Sequence, residues 1–167
     1  ILGAGTVGEY ATRSALGLGA SVKVFDNSVH RLIRLQNAVG QRLWTSTLQP
    51  SVLEEALRTA DVAIGAVRGS GSRAPMLVSE PMIAGMRDRS IVVDVSIDRG
   101  GVFETSRLTS PPESNSAARA SSLVSVIALS ISLAVGASEI AISHAVGASS
   151  ATSAGAAGTE SSAGDPK

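Results

Sequence analysis

Three glycines near the start of the chain have the spacing of a phosphate-binding turn. The segment Gly3-Ala4-Gly5-Thr6-Val7-Gly8 fits the pattern G-x-G-x-x-G. In this pattern the first glycine permits a tight turn, the second lets the backbone approach a pyrophosphate, and the third lets a helix pack closely on a strand. The N–H groups and the positive end of that helix favour anionic phosphates. The residues expected to bind the phosphates of a dinucleotide are Gly3, Gly5, Thr6, Val7 and Gly8.

An acidic residue follows at the position where a dinucleotide site needs one. Asp26 lies 18 residues after Gly8, at the end of the next predicted strand. A carboxylate there can accept hydrogen bonds from the ribose hydroxyls and would repel a 2′-phosphate, so we expect NAD rather than NADP as the cofactor, bound by Asp26 and its neighbour Asn27. Arg31 and Arg34 lie close by and could accommodate that phosphate, which keeps NADP open. The alternative for Asp26 is a turn or helix-capping residue.

The elements that must position these residues alternate regularly through the first 107 residues. Apolar spacing predicts a helix that begins at Thr6, a second capped by Asn27 or Ser28, a third capped by Ser51, and a fourth opened by Ser79 or Glu80. Gly40 is expected to stop the second helix. Between them lie short β-branched or continuously apolar runs that predict strands at 21–25, 41–45, 60–67 and 90–95. This alternation predicts an α/β fold of the Rossmann type, a doubly wound parallel sheet with helices on both faces.

The composition changes along the chain. Only six of the 14 basic and 14 acidic side chains follow residue 107. We therefore predict a dinucleotide-binding domain at 1–108, an apolar and serine-rich segment at 109–146, and a disordered Ser/Ala/Gly tail at 147–167. Within the middle segment, residues 120–138 carry no charge. This run could be a buried or misfolded segment of a soluble chain or a membrane helix, and we favour the first alternative.

Several function classes are excluded by composition. The chain of 167 residues contains no cysteine and two histidines, so we expect no disulfide framework, no thiol nucleophile and no metal site. The formal net charge is zero and there are four aromatic residues, which argues against a nucleic-acid partner. No signal-peptide pattern is present, and we expect a cytoplasmic protein without a membrane partner. The first residue, Ile1, lies inside a hydrophobic run, which predicts that further residues precede it.

The motifs together resemble the coenzyme domain of alanine dehydrogenase. The resemblance rests on the glycine segment 3–8, on Val22-Lys23-Val24-Phe25-Asp26-Asn27, and on Ile64-Gly65-Ala66-Val67. It is most specific at 92–107, which reads VVDVSIDRGGVFETSR. The resemblance covers about residues 1–108 and is shared with the related nicotinamide nucleotide transhydrogenases.

The resemblance implies NAD-dependent oxidative deamination of L-alanine to pyruvate and ammonia, and its reverse. By analogy with the family, Asp98 is the catalytic residue beside the nicotinamide, where a carboxylate can orient the substrate amine and water. The alternative for Asp98 is a turn residue before Gly100-Gly101, and Asp94 is the better candidate for a structural role. The residues implied to line the nicotinamide side are Ala66, Val67, Ser96 and Ile97. Family members are homo-oligomers, usually hexamers, so we expect a homo-oligomer here.

Two departures from the family pattern limit what this chain does alone. The substrate domain that precedes the coenzyme domain in the family is not part of this sequence, so we expect the isolated chain to bind NAD without turnover. The segment after Arg107 does not match the family pattern. The alternatives left open are the coenzyme domain of a transhydrogenase α-subunit, a non-catalytic NAD-sensing regulatory domain, and a fragment that folds poorly and binds nothing.

Overall fold

A computed structural model describes residues 1–69 and 73–106 and the backbone of 141–144. Four strands, all parallel, form the sheet that precedes residue 107: β1 (Lys23–Phe25), β2 (Trp44–Ser46), β3 (Val62–Gly65) and β4 (Ile91–Asp94). Leu2 forms parallel bridges with both Phe25 and Gly65 and thereby joins β1 to β3. The spatial order is therefore β2-β1-β3-β4, with Leu2 lying between β1 and β3. The α/β class with parallel strands is as predicted.

A fifth strand departs from the predicted parallel arrangement. Strand β5 (Ala141–His144) pairs with β4 in the antiparallel sense, with Val93 opposite Ile142. It lies inside the apolar and serine-rich segment for which the sequence predicted no definite structure. A short strand such as β5 has no local sequence feature that selects one edge of a sheet or one direction. Its partner strand is therefore decided by tertiary packing.

Each helix fills the connection between successive strands. Helix α1 (Thr6–Gly17) follows Leu2, α2 (Val29–Val39) follows β1, α3 (Pro50–Arg58) follows β2, and α4 (Glu80–Ala84) follows β3. The start and stop of α2 are as predicted: the Ser28 hydroxyl accepts a hydrogen bond from the Arg31 N–H, and Gly40 ends the helix at φ +75°.

The start of α3 differs from the prediction. Ser51 was expected to cap this helix, but the cap is Gln49 and Pro50 is the first helical residue. Proline suits that position because its fixed φ is helical and the N–H that it lacks would have no partner within the helix. The strands are also shorter than predicted; β3 covers 62–65 within the apolar run 60–67.

Alternate residues of the central strands enter two separate clusters. Ala63 and Val92 pack with Leu53 and Leu57 of α3, whereas Ile64 and Val93 pack with a cluster that includes Ala15 of α1. Both faces of β3 and β4 are therefore covered by helices. This burial on both sides explains why these strands have continuously apolar sequences rather than alternating ones.

Part of the chain lies outside the described residues. This applies to the predicted tail at 147–167 and to most of the segment 109–146, including the uncharged run 120–138. Among the residues that are described, no helix is long and apolar enough to cross a bilayer.

Candidate functional site

The segments singled out by sequence all follow the carboxyl ends of strands and meet at one edge of the sheet. The glycine segment follows Leu2, Asp26 follows β1, Ala66 follows β3, and the segment from Val95 follows β4. In parallel sheets of this kind, ligands bind in the crevice outside the carboxyl ends of the strands. This edge is therefore the candidate site.

Two of the three glycines have no room for a side chain. A Cβ on Gly3 would lie 2.5 Å from the carbonyl oxygen of Ala66, and Gly3 has φ +105°. A Cβ on Gly8 would overlap the carbonyl oxygen of Gly3 itself. The Gly8 carbonyl in turn accepts a hydrogen bond from the buried Thr12 hydroxyl at 2.7 Å. These contacts pack the first turn of α1 closely on the loop at Gly3.

The middle glycine differs from the other two. A Cβ on Gly5 would have no heavy atom of the described residues within 4 Å, so within that part of the structure this glycine borders open space. Gly5 is the N-cap of α1 and supplies no side-chain cap, and the first N–H groups of a helix have no partner within the helix. The loop is therefore tightly packed at Gly3 and Gly8 and open at Gly5, where α1 begins. At that position the helix dipole and the free N–H groups would stabilise an anion most strongly.

Asp26 is buried and holds the glycine loop. One carboxylate oxygen accepts a hydrogen bond from the Ala4 N–H at 2.8 Å, and the other accepts one from the Ser28 N–H at 2.7 Å. The Arg31 guanidinium lies 3.8 Å from the oxygen that binds Ala4. The turn role considered for Asp26 is thus present in the bond from Ser28, and the carboxylate also contacts the glycine loop through Ala4. Its neighbour Asn27 is exposed and accepts a weak hydrogen bond from the Leu48 N–H at 3.3 Å.

The loops after β3 and β4 are linked by a serine. The Ser96 hydroxyl donates a hydrogen bond to the carbonyl oxygen of Val67 at 2.9 Å, and Ala66 lies against Gly3. Three segments predicted to contact a dinucleotide are therefore joined in one continuous surface.

Replacing Ser96 by alanine is expected to lower the free energy of unfolding by about 1 kcal/mol, because one partly buried hydrogen bond is lost. Urea denaturation monitored by circular dichroism measures this. The matched control is Ser79→Ala, since the Ser79 side chain makes no capping hydrogen bond and Glu104 accepts the bond from the Glu80 N–H instead. Equal stability of the two variants would contradict a linking role for Ser96.

Asp98 lies on a short 3₁₀ turn, Ile97–Arg99, that follows β4. Its side chain is 57% exposed, and the nearest cation is Arg99, with Nε 3.7 Å from the carboxylate. An exposed carboxylate at this edge is accessible to a ligand. Ile97, the residue before Asp98, is buried instead of exposed. The Ile97 Cδ1 approaches Gly101, so this side chain supports the loop from inside.

Asp94 has the structural role expected for it. The carboxylate is buried and accepts hydrogen bonds from the N–H groups of Ser96, Val102 and Phe103 and from the Ser106 hydroxyl, at 2.9, 2.8, 3.4 and 2.6 Å. A Cβ on Gly101 would lie 2.8 Å from the same carboxylate, so the loop can close around Asp94 only with glycine there. This network fixes the segment that carries Asp98.

Sequence reasoning missed two contributors to the site. Ala4 was treated only as a spacer between glycines, yet both its N–H and its carbonyl are held by side chains. Arg34, considered only as a possible partner of a 2′-phosphate, donates a hydrogen bond to the Ala4 carbonyl at 3.1 Å. The spacing of 30 residues between them carries no local signal; only the pairing of β1 beside Leu2 brings α2 over the loop.

A cavity of about 580 Å³ lies at the opposite edge of the sheet. Its lining includes Ile1, Lys23 and Asp61, at or before the amino ends of the strands, and apolar residues of α3. None of the predicted site residues lines it, so it is not the candidate site. Within the described residues, no group of three or more acidic or histidine side chains could hold a metal ion.

Comparison with known families and proteins gives consistent matches. The family model described as "Alanine dehydrogenase/PNT, C-terminal domain" matches residues 1–155, so the match extends past Arg107, after which the sequence was expected not to follow the family pattern. The alanine dehydrogenase of Halomonas elongata is 46% identical over 113 residues, covering 68% of this chain and 30% of that protein. The alanine dehydrogenase of Mycolicibacterium smegmatis is 43% identical with the same coverage. The chain thus spans about 30% of the length of these curated relatives.

Solved structures match in the same way. An L-alanine dehydrogenase structure superposes with a TM-score of 0.63 at 34% identity, covering 80% of this chain and 40% of that one. A transhydrogenase from Sinorhizobium meliloti superposes with a TM-score of 0.55 at 27% identity, covering 66% of this chain and 32% of that one.

Proposed function

This chain belongs to the alanine dehydrogenase/PNT C-terminal domain family, and from that premise we propose that it binds NAD at the carboxyl edge of a doubly wound Rossmann-type sheet. The observation that carries the proposal is the contrast among the three glycines. Gly3 and Gly8 are packed against protein backbone, whereas Gly5 borders open space at the start of α1. That space suits a pyrophosphate, because backbone N–H groups and the helix dipole both favour an anion there.

The adenosine end of the cofactor is assigned to Asp26 and Asn27. Each carboxylate oxygen of Asp26 accepts one hydrogen bond from the protein. An ionised carboxylate has about four acceptor positions, so Asp26 retains capacity for ribose hydroxyls. Its negative charge favours NAD over NADP. The Arg31 guanidinium lies 3.8 Å from the carboxylate and partly offsets its negative charge. NAD is therefore preferred over NADP only if the repulsion of a 2′-phosphate by Asp26 exceeds its attraction by Arg31.

The nicotinamide end is assigned to the loops after β3 and β4, with Ala66, Val67 and Ser96 forming the wall and the buried Ile97 supporting it from inside. When bound, the nicotinamide supplies the hydride acceptor. The exposed carboxylate of Asp98 would orient the substrate amine and water in the oxidation of L-alanine to pyruvate and ammonia. By the family resemblance, the other groups that bind the substrate would come from the part of the relatives that this chain does not span, and the whole protein would work as a homo-oligomer.

Gly5→Ala tests the cofactor assignment. Its backbone angles, φ −79° and ψ −167°, suit alanine, and its Cβ meets no protein atom, so the variant should keep the native fold. The new methyl would occupy the pyrophosphate space and raise the Kd for NAD by about tenfold or more, which is ~1.4 kcal/mol. Calorimetric titration with NAD and NADP measures this effect and the cofactor preference together.

Gly17→Ala is the matched control, because its Cβ also meets no atom within 4 Å but lies at the far end of the same helix. Its Kd should be that of the native chain. A folded native chain without saturable NAD binding would overturn the proposal, and native affinity in Gly5→Ala would overturn the placement of the pyrophosphate.

A transhydrogenase coenzyme domain is the second candidate, supported by the 27% identical S. meliloti structure. Both candidates share NAD binding and differ in the partner domain. A chimera of this chain with the amino-terminal domain of the H. elongata relative distinguishes them. L-alanine-dependent reduction of NAD supports the dehydrogenase; a folded chimera that binds NAD but does not turn over alanine favours the transhydrogenase.

A further inference from the structure

Ala4 is held on both sides by charged side chains. Its N–H donates to the Asp26 carboxylate at 2.8 Å, and its carbonyl accepts from Arg34 Nη2 at 3.1 Å. Its own methyl is fully buried in a cluster with Val24, Leu32 and Leu35. We call Asp26, Arg34 and the backbone they hold the Ala4 clamp.

The two bonds of the Ala4 clamp fix two different peptide planes. The Ala4 N–H shares a plane with the Gly3 carbonyl, and the Ala4 carbonyl shares a plane with the Gly5 N–H. In a trans peptide the carbonyl and the N–H point in opposite directions. Because Arg34 holds the Ala4 carbonyl, the Gly5 N–H must point away from Arg34.

This restraint matters because glycines flank Ala4 on both sides. Glycine has the widest choice of backbone angles, so a loop with glycine at 3 and 5 loses much entropy when it adopts one conformation. The packing of Gly3 against Ala66 fixes the first glycine. Among the described residues, Gly5 has no such packing contact: its carbonyl accepts a hydrogen bond from the Glu9 N–H at 2.9 Å, and the bond from Arg34 restrains the peptide that precedes it.

The charge on Arg34 adds to this effect. A carbonyl that accepts a hydrogen bond from a cation is polarised, and polarisation strengthens the N–H of the same peptide as a donor. Arg34 therefore orients the Gly5 N–H and makes it a stronger hydrogen-bond donor. It does so by binding the backbone, without contacting the ligand itself.

We propose that Arg34 is a positioning residue that orients the Gly5 N–H toward the pyrophosphate of the dinucleotide through the Ala4 carbonyl. The proposal rests on the proposed function. It assigns Arg34 to the pyrophosphate end of the cofactor, in contrast to the 2′-phosphate role considered from sequence. Asp26 completes the clamp by fixing the preceding peptide, in addition to its assignment to the ribose.

Arg34→Met and Arg34→Lys test the proposal in the full chain. Methionine keeps much of the aliphatic stem and removes the donor, whereas lysine retains a cationic donor. We expect Arg34→Met to raise the Kd values for NAD and ADP by about tenfold, the scale of one hydrogen bond, with the affinity for adenosine unchanged. Arg34→Lys should weaken NAD and ADP binding by less than Arg34→Met does, because the lysine ammonium keeps a cationic donor but not the geometry of the guanidinium. Titrations followed by NMR measure all three ligands and the Gly5 amide shift together.

Arg58→Met is the matched control, because Arg58 is an exposed arginine on α3 whose only ion pair among the described residues is with Glu54, four residues earlier on the same helix. It should bind all three ligands as the native chain does. Native affinity for NAD and ADP in Arg34→Met would overturn the proposal. Equal losses for adenosine and ADP would also overturn it, because they would show that the affected contact is not at the phosphates.

If Arg34→Met does not fold, Arg34→Lys decides. A folded Lys variant with a displaced Gly5 amide signal and selectively weakened ADP binding supports the clamp, and one with native values for both contradicts it. Absence of NAD binding by the native chain would be a failure of the proposed function, which is measured first and separately.

Discussion

Replacing Asp94 by alanine is expected to remove about 3–5 kcal/mol of folding free energy, which is a large part of the ~5–15 kcal/mol that stabilises an ordinary domain. The carboxylate accepts four hydrogen bonds from the loop that follows β4. Alanine would leave those donors buried without an acceptor, and each unsatisfied buried donor costs about 1–3 kcal/mol. Urea denaturation followed by circular dichroism measures the loss.

Asp94→Asn should fall between the native chain and Asp94→Ala. Three of the four donors, from Val102, Phe103 and Ser106, bind one carboxylate oxygen, and Ser96 binds the other. An asparagine can place its single oxygen at the crowded position and lose only the Ser96 bond. The expected order of stability is therefore native, Asp94→Asn, Asp94→Ala.

Asp98→Ala is the comparison for this series. It removes an aspartate four positions away that is 57% exposed and whose one ion pair within the described residues is the 3.7 Å contact with Arg99. Its unfolding midpoint should stay at the native value, because exposed ion pairs contribute about 0–1 kcal/mol. Equal destabilisation by Asp94→Ala and Asp98→Ala would contradict the structural role of Asp94.

Gly8→Ala is expected to damage both the fold and cofactor binding. The new Cβ would overlap the Gly3 carbonyl, which belongs to the backbone and cannot move without shifting the whole loop. Forced overlap of this kind costs about 1–3 kcal/mol and occasionally more. The loop would also move away from the position in which Gly5 is proposed to face the pyrophosphate, so we expect saturable NAD binding to be lost.

Three substitutions along α1 separate packing from ligand binding. Gly17→Ala should keep native affinity and gain up to ~1 kcal/mol from the better helix propensity of alanine. Gly5→Ala should lose affinity alone, and Gly8→Ala should lose both affinity and stability. Thermal unfolding and NAD titration of the same samples measure the two effects. Native stability and native affinity in Gly8→Ala would contradict the packing of α1 on the glycine loop.

Much of the framework could be predicted from local signals. The glycine spacing indicated the turn before α1, Ser28 and Gly40 marked the ends of α2, and the apolar runs marked β3 and β4. These features are encoded locally because they depend on φ, on a capping oxygen within three residues, and on burial of consecutive side chains. The family resemblance came from the same segments and is confirmed by the family match.

The contacts that make this framework a site were decided by tertiary structure. Asp26 meets Ala4 across 22 residues and Arg34 meets it across 30, while β5 joins β4 from a position about 50 residues away. Residue types restrict such partners but do not select them, because each pairing depends on how the helices and strands pack together. The sequence by itself determined which segment forms the glycine turn before α1; only the packing of β1, α2 and Leu2 decided which side chains hold it.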